Sequence, residues 1–288
     1  MRFLEGAITL AKTPGMPRAY AQWLYGRAVG RGPYVYLGPG VRVGSNWVNF
    51  SEFWSNQTGN GRTTKINHMT ASIRDLCQSC LEKAGTRSVA IDAGANVGMF
   101  TAAFAAAGFT EVHSFEPVPA TFARLEANIA LNRFGQKVRL NNLGLGDKEA
   151  LVNIDFEEKS PATAHIVGDG TPGSSPVRIT TLDRYAELNG IDRIDFLKID
   201  TEGYEAAVFR GAARLLREKR ILLILFEWCP ELLDRTGSGA EDLYRTIVDA
   251  GYSLHEISSA GEIGGPLGLN DVQSASWENL IATPAAGA

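Results

Sequence analysis

The sequence lacks a long apolar run and a concentration of basic residues, and each absence excludes a class of protein. No apolar run approaches the roughly 20 residues needed to cross a bilayer, and the N-terminus lacks the long uncharged core of a signal peptide. The 28 basic residues are outnumbered by 32 acidic ones, and no stretch concentrates Lys and Arg as phosphate binding would require. We therefore expect a soluble, cytoplasmic protein that does not act on nucleic acid.

Cysteine is also scarce, with three residues in the chain. Cys77 and Cys80 have the C-x-x-C spacing of a metal or redox pair, but the one remaining cysteine cannot complete a zinc site alone. Ile73, Leu76 and Leu81 recur with the two thiols at helical spacing. We interpret the pair as part of the buried face of a helix.

The composition is typical of a globular protein, with 44 % apolar and 21 % charged residues in a chain of 288. This length suits one large domain with an extension. We expect an N-terminal extension over residues 1–85, a main domain over residues 86–283 and a short tail over residues 284–288. The extension contains a predicted helix before Arg31 and an aromatic-rich stretch from Gly32 to Asn60. These aromatic side chains are predicted to cover a sheet face, with the lining of a substrate pocket as the alternative.

From about Ser88, short apolar runs alternate with amphipathic stretches, which is typical of a parallel sheet with helices on both faces. The continuous run from Ile221 to Phe226 predicts a central strand. A carboxylate that ends such a strand is expected to point into the crevice at the sheet edge. The predicted strands of the main sheet are Ser88–Asp92, Glu111–Glu116, Lys137–Asn141, Ile194–Asp200, Ile221–Glu227, Tyr252–Ile257 and Leu280–Thr283.

The remaining segments carry weaker patterns. Val208, Ala212 and Leu215 share the spacing of one helix. Two further strands are predicted on either side of residues 160–175, which are rich in Gly, Ser, Pro and Thr and are predicted to form a mobile loop. Thr180 and Asp183 fit a capping box at the start of a short helix.

The segment from Asp92 to Gly98 lies between a predicted strand and a predicted helix, where the chain must turn sharply. A nicotinamide-binding G-x-G-x-x-G motif starting at Gly94 would need glycine at positions 96 and 99, which are Asn96 and Met99. S-adenosylmethionine has no phosphate and carries a sulfonium and an ammonium, which favour nearby carboxylates and carbonyls. The turn therefore favours S-adenosylmethionine over a dinucleotide.

Glu116 ends the second predicted strand, 24 positions after Asp92. At this distance an acid normally accepts hydrogen bonds from both ribose hydroxyls of an adenosine cofactor. Glu116 by itself does not separate NAD from S-adenosylmethionine, so the prediction depends on the turn and the acid together.

Several motifs in order resemble the FkbM family of methyltransferases over residues 88–283. They are the turn Asp92–Gly98, Phe115-Glu116-Pro117, residues 125–132, Thr181-Leu182-Asp183, and the run from Lys198 to Glu205. The resemblance implies an α/β, Rossmann-like class I methyltransferase fold, with a seven-stranded sheet whose last strand is antiparallel. It also implies methylation of a hydroxyl oxygen on a small molecule such as a sugar, a glycolipid or a secondary metabolite, with S-adenosylhomocysteine as the product.

The resemblance further implies site residues. The turn would surround the methionine moiety, Glu116 the ribose and the residues around Leu143 the adenine, while Asp200 would face the transferred methyl. The implied cofactor-binding residues are Asp92, Gly94, Ala95, Asn96, Gly98, Glu116, Pro117, Leu143 and Asp200.

The acceptor hydroxyl must lose a proton, so a base is needed near the strand ends. The candidates are Asp200, Glu202, Glu227 and His165, and a bound divalent ion is another way to acidify the hydroxyl. Two alternative functions stay open: a nicotinamide or nucleotide-sugar oxidoreductase on a related sheet, and a protein that binds S-adenosylmethionine without turnover. The sequence leaves the oligomeric state open, with a homo-oligomer as one alternative.

Overall fold

The computed structural model describes residues 34–36, 42–44, 62–157, 160–167, 171–172, 174–258, 261–274 and 279–286. The chain divides into two compact units, Met1–Ala71 and Ser72–Ala288. In the first unit, β1 (Tyr34–Tyr36) pairs antiparallel with β2 (Arg42–Gly44). The helix predicted before Arg31 and most of the aromatic-rich stretch lie outside the described residues.

From residue 62 onward the described part of the chain alternates between strands and helices. In chain order these elements are α1 (Arg62–Lys83), β3 (Val89–Ala93), α2 (Met99–Ala107), β4 (Glu111–Phe115), α3 (Pro119–Leu131), β5 (Val138–Asn141), β6 (Gly144–Leu145), β7 (Ala150–Glu157), β8 (Ser160–Val167), β9 (Ser175–Thr180), α4 (Leu182–Leu188), β10 (Phe196–Ile199), α5 (Glu205–Gly211), α6 (Ala213–Arg217), β11 (Ile224–Glu227), α7 (Pro230–Arg235), α8 (Ala240–Asp249), β12 (Tyr252–Ile257), β13 (Ile263–Leu267), α9 (Leu269–Ser274) and β14 (Asn279–Pro284).

The large sheet has the strand order β13-β12-β14-β11-β10-β3-β4-β5 among the described residues. The five strands β11, β10, β3, β4 and β5 are parallel to one another. β14 is antiparallel to both β11 and β12. The predicted class I arrangement is therefore confirmed. The sheet has eight strands where seven were predicted, because β13 adds an antiparallel edge strand beside β12. Its sequence contains two glycines and Pro266, which an edge strand tolerates but which give no strand pattern.

The predicted central strand is buried as its continuous apolar run indicates. β11 lies between β10 and β14. Ile224, Leu225 and Phe226 are all buried in the core. Burying three such side chains stabilises the fold by several kcal/mol, since each contributes about 1.5–3 kcal/mol.

The helix predicted from Val208, Ala212 and Leu215 is two helices in the structure. α5 ends at Gly211 and α6 begins at Ala213. The carboxylate of Asp183 accepts hydrogen bonds from the backbone N–H groups of Arg214 at 2.7 Å and Leu215 at 3.0 Å. A side chain from another element thus caps the second helix, and the local spacing contains no sign of it.

The predicted capping box is wrong by one residue. α4 is capped by Thr181, whose Oγ1 accepts a hydrogen bond from the backbone N–H of Arg184 at 3.1 Å. Thr180 is instead the last residue of β9. Asp183, expected to complete the box, caps α6 as described above.

Residues 160–167, predicted to be mobile, form a strand. β8 pairs antiparallel with β7 in a second, four-stranded sheet with the order β6-β9-β7-β8. β8 is an edge strand of this sheet, so it tolerates Pro161. The pairing partner, which the local sequence does not reveal, stabilises this segment.

The prediction for the two cysteines is confirmed. Ile73, Leu76, Cys77 and Cys80 are buried together on one side of α1. Burial raises the pKa of the Cys80 thiol to about 12, which makes it unreactive at neutral pH. Within the described ranges, none of the helices is both long and apolar enough to cross a membrane.

Candidate functional site

The carboxyl ends of four neighbouring parallel strands meet at one edge of the large sheet. β3 pairs with β4 and with β10, and β10 pairs with β11. This order brings together the residues that end or follow these strands: Asp92, Glu116, Asp200 and Glu227. A crevice beyond the carboxyl ends of such strands is the usual ligand site in α/β sheets.

The chain turns sharply between β3 and α2, as predicted. Gly94, Asn96 and Gly98 all have left-handed backbone conformations, with φ of 76°, 49° and 89°. A Cβ on Gly94 would lie 1.8 Å from the carbonyl oxygen of Asp200, so only glycine fits. Asparagine tolerates this conformation better than most residues, which accounts for Asn96 in the turn. The backbone N–H groups of Gly94 and Ala95 donate to the carbonyl of Phe115 at 3.0 and 2.9 Å.

Asp92 lies inside the protein. Its side chain is 0 % exposed, and its Oδ2 accepts a hydrogen bond from Thr101 Oγ1 at 2.6 Å. Its Oδ1 lies 3.6 Å from Lys198 Nζ. Burial raises the pKa of Asp92, while the charge of Lys198 acts in the opposite direction. In this conformation Asp92 is bonded to Thr101 of α2 and lies beneath the crevice surface, which differs from the crevice-facing carboxylate that the sequence predicts.

Glu116 connects the end of β4 to the turn. Its Oε2 accepts from the backbone N–H of Asn96 at 2.9 Å, and its Oε1 accepts from the backbone N–H of Val118 at 2.9 Å. The side chain is 6 % exposed. Burial raises the pKa of Glu116 to about 7.

The segment after β5 approaches the same strand end. Asn142 Nδ2 donates to the carbonyls of Glu116 at 2.9 Å and Pro117 at 3.1 Å. Leu143, the next residue, packs half-buried against the main core. The predicted adenine-side residues thus lie next to the predicted ribose-side acid.

Lys198 is a charged residue of this edge that begins the motif from Lys198 to Glu205 but was not predicted to be a site residue. It is a buried lysine within β10, and its Nζ lies 3.1 Å from Asp200 Oδ2 and donates to the carbonyl of Gly94 at 3.2 Å. Burial alone would lower the pKa of Lys198, but the charges of Asp200 and Asp92 outweigh it and raise the pKa. A lysine inside an apolar strand run, Phe196-Leu197-Lys198-Ile199, is the signal that could have identified it.

Asp200, Glu202 and Glu227 form an acidic group at the ends of β10 and β11. The Asp200 side chain is 38 % exposed. Burial, followed by the charge of Asp200, raises the pKa of Glu202 to about 7 and that of Glu227 to about 8. Glu227 Oε2 is buried with no hydrogen-bond partner among the described residues. Carboxylates with raised pKa values near neutrality are suited to proton transfer.

Glu205 fixes the loop that follows Asp200 and carries Glu202. Its Oε1 accepts from the Thr201 backbone N–H at 2.7 Å, from Thr201 Oγ1 at 2.9 Å and from the Gly203 backbone N–H at 3.3 Å. Glu205 also lies in the first turn of α5. Its buried carboxylate organises the loop from Thr201 to Gly203.

His165 lies in a different sheet from the other candidate bases. Its backbone belongs to β8 and pairs with Asp155 of β7. The other candidates all lie at the edge of the large sheet. No group of three or more His, Cys, Asp or Glu side chains in the described part of the chain is arranged to hold a metal ion.

Comparisons with known proteins agree with this geometry. The model of the family described as Methyltransferase FkbM domain matches residues 92–254. Methyltransferase 1 of Beauveria bassiana is 27 % identical over 43 % of this chain and 58 % of its own length. Hexuronic acid methyltransferase AglP of Haloferax volcanii is 28 % identical over 52 % of this chain and 61 % of its own. The matched region thus spans about three fifths of the length of these relatives.

Among solved structures, an O-methyltransferase from Bacillus cereus in complex with SAH aligns with 93 % of this chain and 90 % of its own chain. The two are 13 % identical, with a TM-score of 0.43.

Proposed function

This chain belongs to the FkbM family of S-adenosylmethionine-dependent methyltransferases, whose model matches residues 92–254 of its 288, and we propose that it methylates a hydroxyl oxygen of a small molecule. The proposal also covers the chemical class of the acceptor and the residue that takes up its proton. The proposed activity is supported by the charge of the crevice, the position of Glu116 and the raised pKa values of the acids at the strand ends.

The charge of the crevice is the observation that carries the proposal. Glu116, Asp200, Glu202 and Glu227 lie at one sheet edge, and the charge of Lys198 opposes the rise in the pKa of Glu116, Glu202 and Glu227 without cancelling it. A bound sulfonium and ammonium would favour the ionised forms of these acids, whereas a diphosphate would be repelled by each acid that is ionised. The side chains therefore fit S-adenosylmethionine and weigh against the oxidoreductase alternative.

Each part of the site has a role in holding the cofactor. Glu116 accepts hydrogen bonds from the ribose hydroxyls, since each of its oxygens has a second lone pair beyond the one used for Asn96 or Val118. The backbone of the turn from Gly94 to Gly98 lies beside the methionine moiety, with Asp92 buried beneath the crevice surface. Leu143 lies beside the adenine.

The bound cofactor supplies a methyl group that the positive sulfur has already activated for displacement. The protein must align the acceptor, exclude water and take up the hydroxyl proton. Glu202 is the best of the candidate bases, because a pKa of about 7 leaves about half of it ionised at neutral pH, where its carboxylate is a good proton acceptor. Glu227, with a pKa of about 8, is mostly protonated there, and Asp200 is already engaged by Lys198.

The acceptor proposed here is a sugar or a sugar-like secondary metabolite. The relative from Haloferax volcanii is named for a hexuronic acid, which supports a polyhydroxylated acceptor. This chain shares 28 % identity with that relative, so a different sugar is compatible with the likeness.

Calorimetry with S-adenosylmethionine, S-adenosylhomocysteine and NAD tests the cofactor, and labelled methyl transfer to a panel of neutral and acidic sugars tests the acceptor. We expect binding of the first two ligands and transfer to a hydroxyl of at least one sugar. Tight NAD binding without S-adenosylmethionine binding would sink the proposal, and binding without transfer to any hydroxyl would favour the non-catalytic alternative. Glu202→Gln should abolish transfer while retaining binding, and Glu126→Gln, at an exposed position of α3, is the matched control.

A further inference from the structure

Lys198 contacts groups from two different loops at the sheet edge. Its Nζ donates to the carbonyl of Gly94 in the turn after β3 and pairs with Asp200 Oδ2 after β10. The third partner is the buried Asp92 Oδ1, at 3.6 Å. The ring of Phe100 lies below the ammonium, 4.7 Å from Nζ to the ring centre. Three oxygens and one aromatic face thus surround one buried charge.

The sheet register accounts for these contacts. Lys198 and Asp92 are direct partners in the parallel pairing of β10 with β3, so their side chains project from the same face. The loops that follow β3 and β10 also touch, since a Cβ on Gly94 would lie 1.8 Å from the Asp200 carbonyl oxygen. Lys198 lies beneath this contact and bonds to both sides of it.

We propose that Lys198 is a positioning residue that fixes the Asp200 carboxylate against the cofactor-binding turn. By holding the Gly94 carbonyl and the Asp200 side chain at once, the ammonium sets the distance between the cofactor and the acidic group on the acceptor side. This inference rests on the proposed function, because it assigns the role relative to a bound cofactor. It adds a residue that neither the motif spacing nor the family resemblance assigned to the site.

A simpler role for Lys198 would be to neutralise the buried charge of Asp92. An unpaired carboxylate in that position is costly, and removing its partner would destabilise the fold whatever happens at the crevice. The two roles predict different behaviour when the Asp92 charge is removed as well. If Lys198 only neutralises Asp92, adding Asp92→Asn to Lys198→Met should restore both the folding stability and the cofactor affinity. If Lys198 is a positioning residue, the second substitution should restore the folding stability alone.

The test measures the dissociation constant of S-adenosylhomocysteine by calorimetry, the urea-unfolding free energy, and kcat and KM for methyl transfer. The variants are Lys198→Met, Lys198→Met with Asp92→Asn, Asp200→Asn, and Lys198→Met with Asp200→Asn. We expect Lys198→Met to weaken binding about tenfold or more, and the Asp92→Asn double variant to regain stability but not affinity. Because Lys198 acts through Asp200, its loss should change affinity by less than about threefold in the Asp200→Asn background.

Two outcomes would overturn this inference and leave the proposed function standing. One is full recovery of affinity when Asp92→Asn is added to Lys198→Met. The other is a double variant, Lys198→Met with Asp200→Asn, whose loss of affinity equals the product of the two single losses. If Lys198→Met fails to fold, the Asp92→Asn double variant still decides, since it contains no unpaired buried charge. A wild-type protein that binds neither S-adenosylmethionine nor S-adenosylhomocysteine would instead overturn the proposed function, and this inference with it.

Discussion

The carboxylate of Glu116 accepts a hydrogen bond from the backbone N–H of Asn96 at 2.9 Å, which joins the strand-end acid to the left-handed residue of the turn. The other oxygen of Glu116 accepts from the Val118 backbone N–H. The side chain proposed to bind the ribose therefore also shapes the turn proposed to surround the methionine moiety. Any change at Glu116 must affect both.

Replacing Glu116 by alanine is expected to lower both cofactor affinity and stability. The change leaves two backbone N–H groups unpaired and removes the acceptors for the ribose hydroxyls, and each loss costs about 1–3 kcal/mol. Glu116→Gln should also be damaging, because its amide group offers one acceptor where the carboxylate offers two. Calorimetry and urea unfolding measure the two effects, with Glu126→Ala as the exposed control. Wild-type affinity in Glu116→Ala would remove this residue from the site.

Replacing Gly94 by alanine is expected to disrupt the turn. The added Cβ would lie 1.8 Å from the Asp200 carbonyl oxygen, and φ of 76° strains any side chain. We expect a loss of about 2 kcal/mol or more in the free energy of unfolding, together with a loss of cofactor binding. Gly85→Ala is the matched control, since a Cβ there meets nothing within 4 Å. Equal effects of the two substitutions would contradict the close packing of the turn on Asp200.

The raised pKa of Glu227 predicts that stability falls as pH rises. Burial and the neighbouring acids raise the pKa from 4.5 in the unfolded chain to about 8 in the folded protein. Between these values the folded state binds more protons than the unfolded state, so the free energy of unfolding decreases from about pH 5 to about pH 8. Because the raised pKa values of Glu116 and Glu202 act in the same direction, Glu227→Gln should reduce this dependence in urea-unfolding curves without abolishing it, whereas Glu126→Gln should leave it unchanged. A wild-type protein that becomes more stable over this range would contradict the assignment.

Much of the main sheet was predictable because its strands are buried on both faces. The apolar runs that became β3, β10 and β11 are visible in the sequence without knowledge of their partners. β8 and β13 were missed because each is an edge strand with proline in it, and pairing with a neighbour decides its structure.

In the site too, features that follow from the local sequence were predictable, whereas features that depend on contacts with distant residues were not. Asp92 lies near the end of its strand, and Glu116 and Asp200 follow theirs, so their meeting at one edge was predictable from the topology alone. The burial of Asp92 was not, because it depends on Lys198 lying opposite in the register between β10 and β3. The role of Glu205 was not predictable either, because its three donors come from a loop whose path the spacing does not reveal.

Substitutions of Glu205 test whether the loop from Thr201 to Gly203 needs a negative charge beneath it or only a hydrogen-bond acceptor. All three donors from Thr201 and Gly203 converge on Oε1, and burial raises the pKa of Glu205 above its usual value. A glutamine oxygen can replace Oε1, so Glu205→Gln should keep the loop and nearly all of the transfer rate. Glu205→Ala leaves the backbone N–H groups of Thr201 and Gly203 unpaired and should cost about 1–3 kcal/mol of stability.

The alanine variant should also lower kcat more than it weakens cofactor binding, because the loop carries Glu202 and follows Asp200, while the turn on the cofactor side keeps its own contacts. Methyl-transfer kinetics together with calorimetry separate the two effects. If Glu205→Gln is as damaging as Glu205→Ala, the loop depends on a negative charge at this position, and the hydrogen-bonding account is wrong. If neither variant changes kcat, Glu202 does not need a fixed loop, which would weaken its assignment as the base.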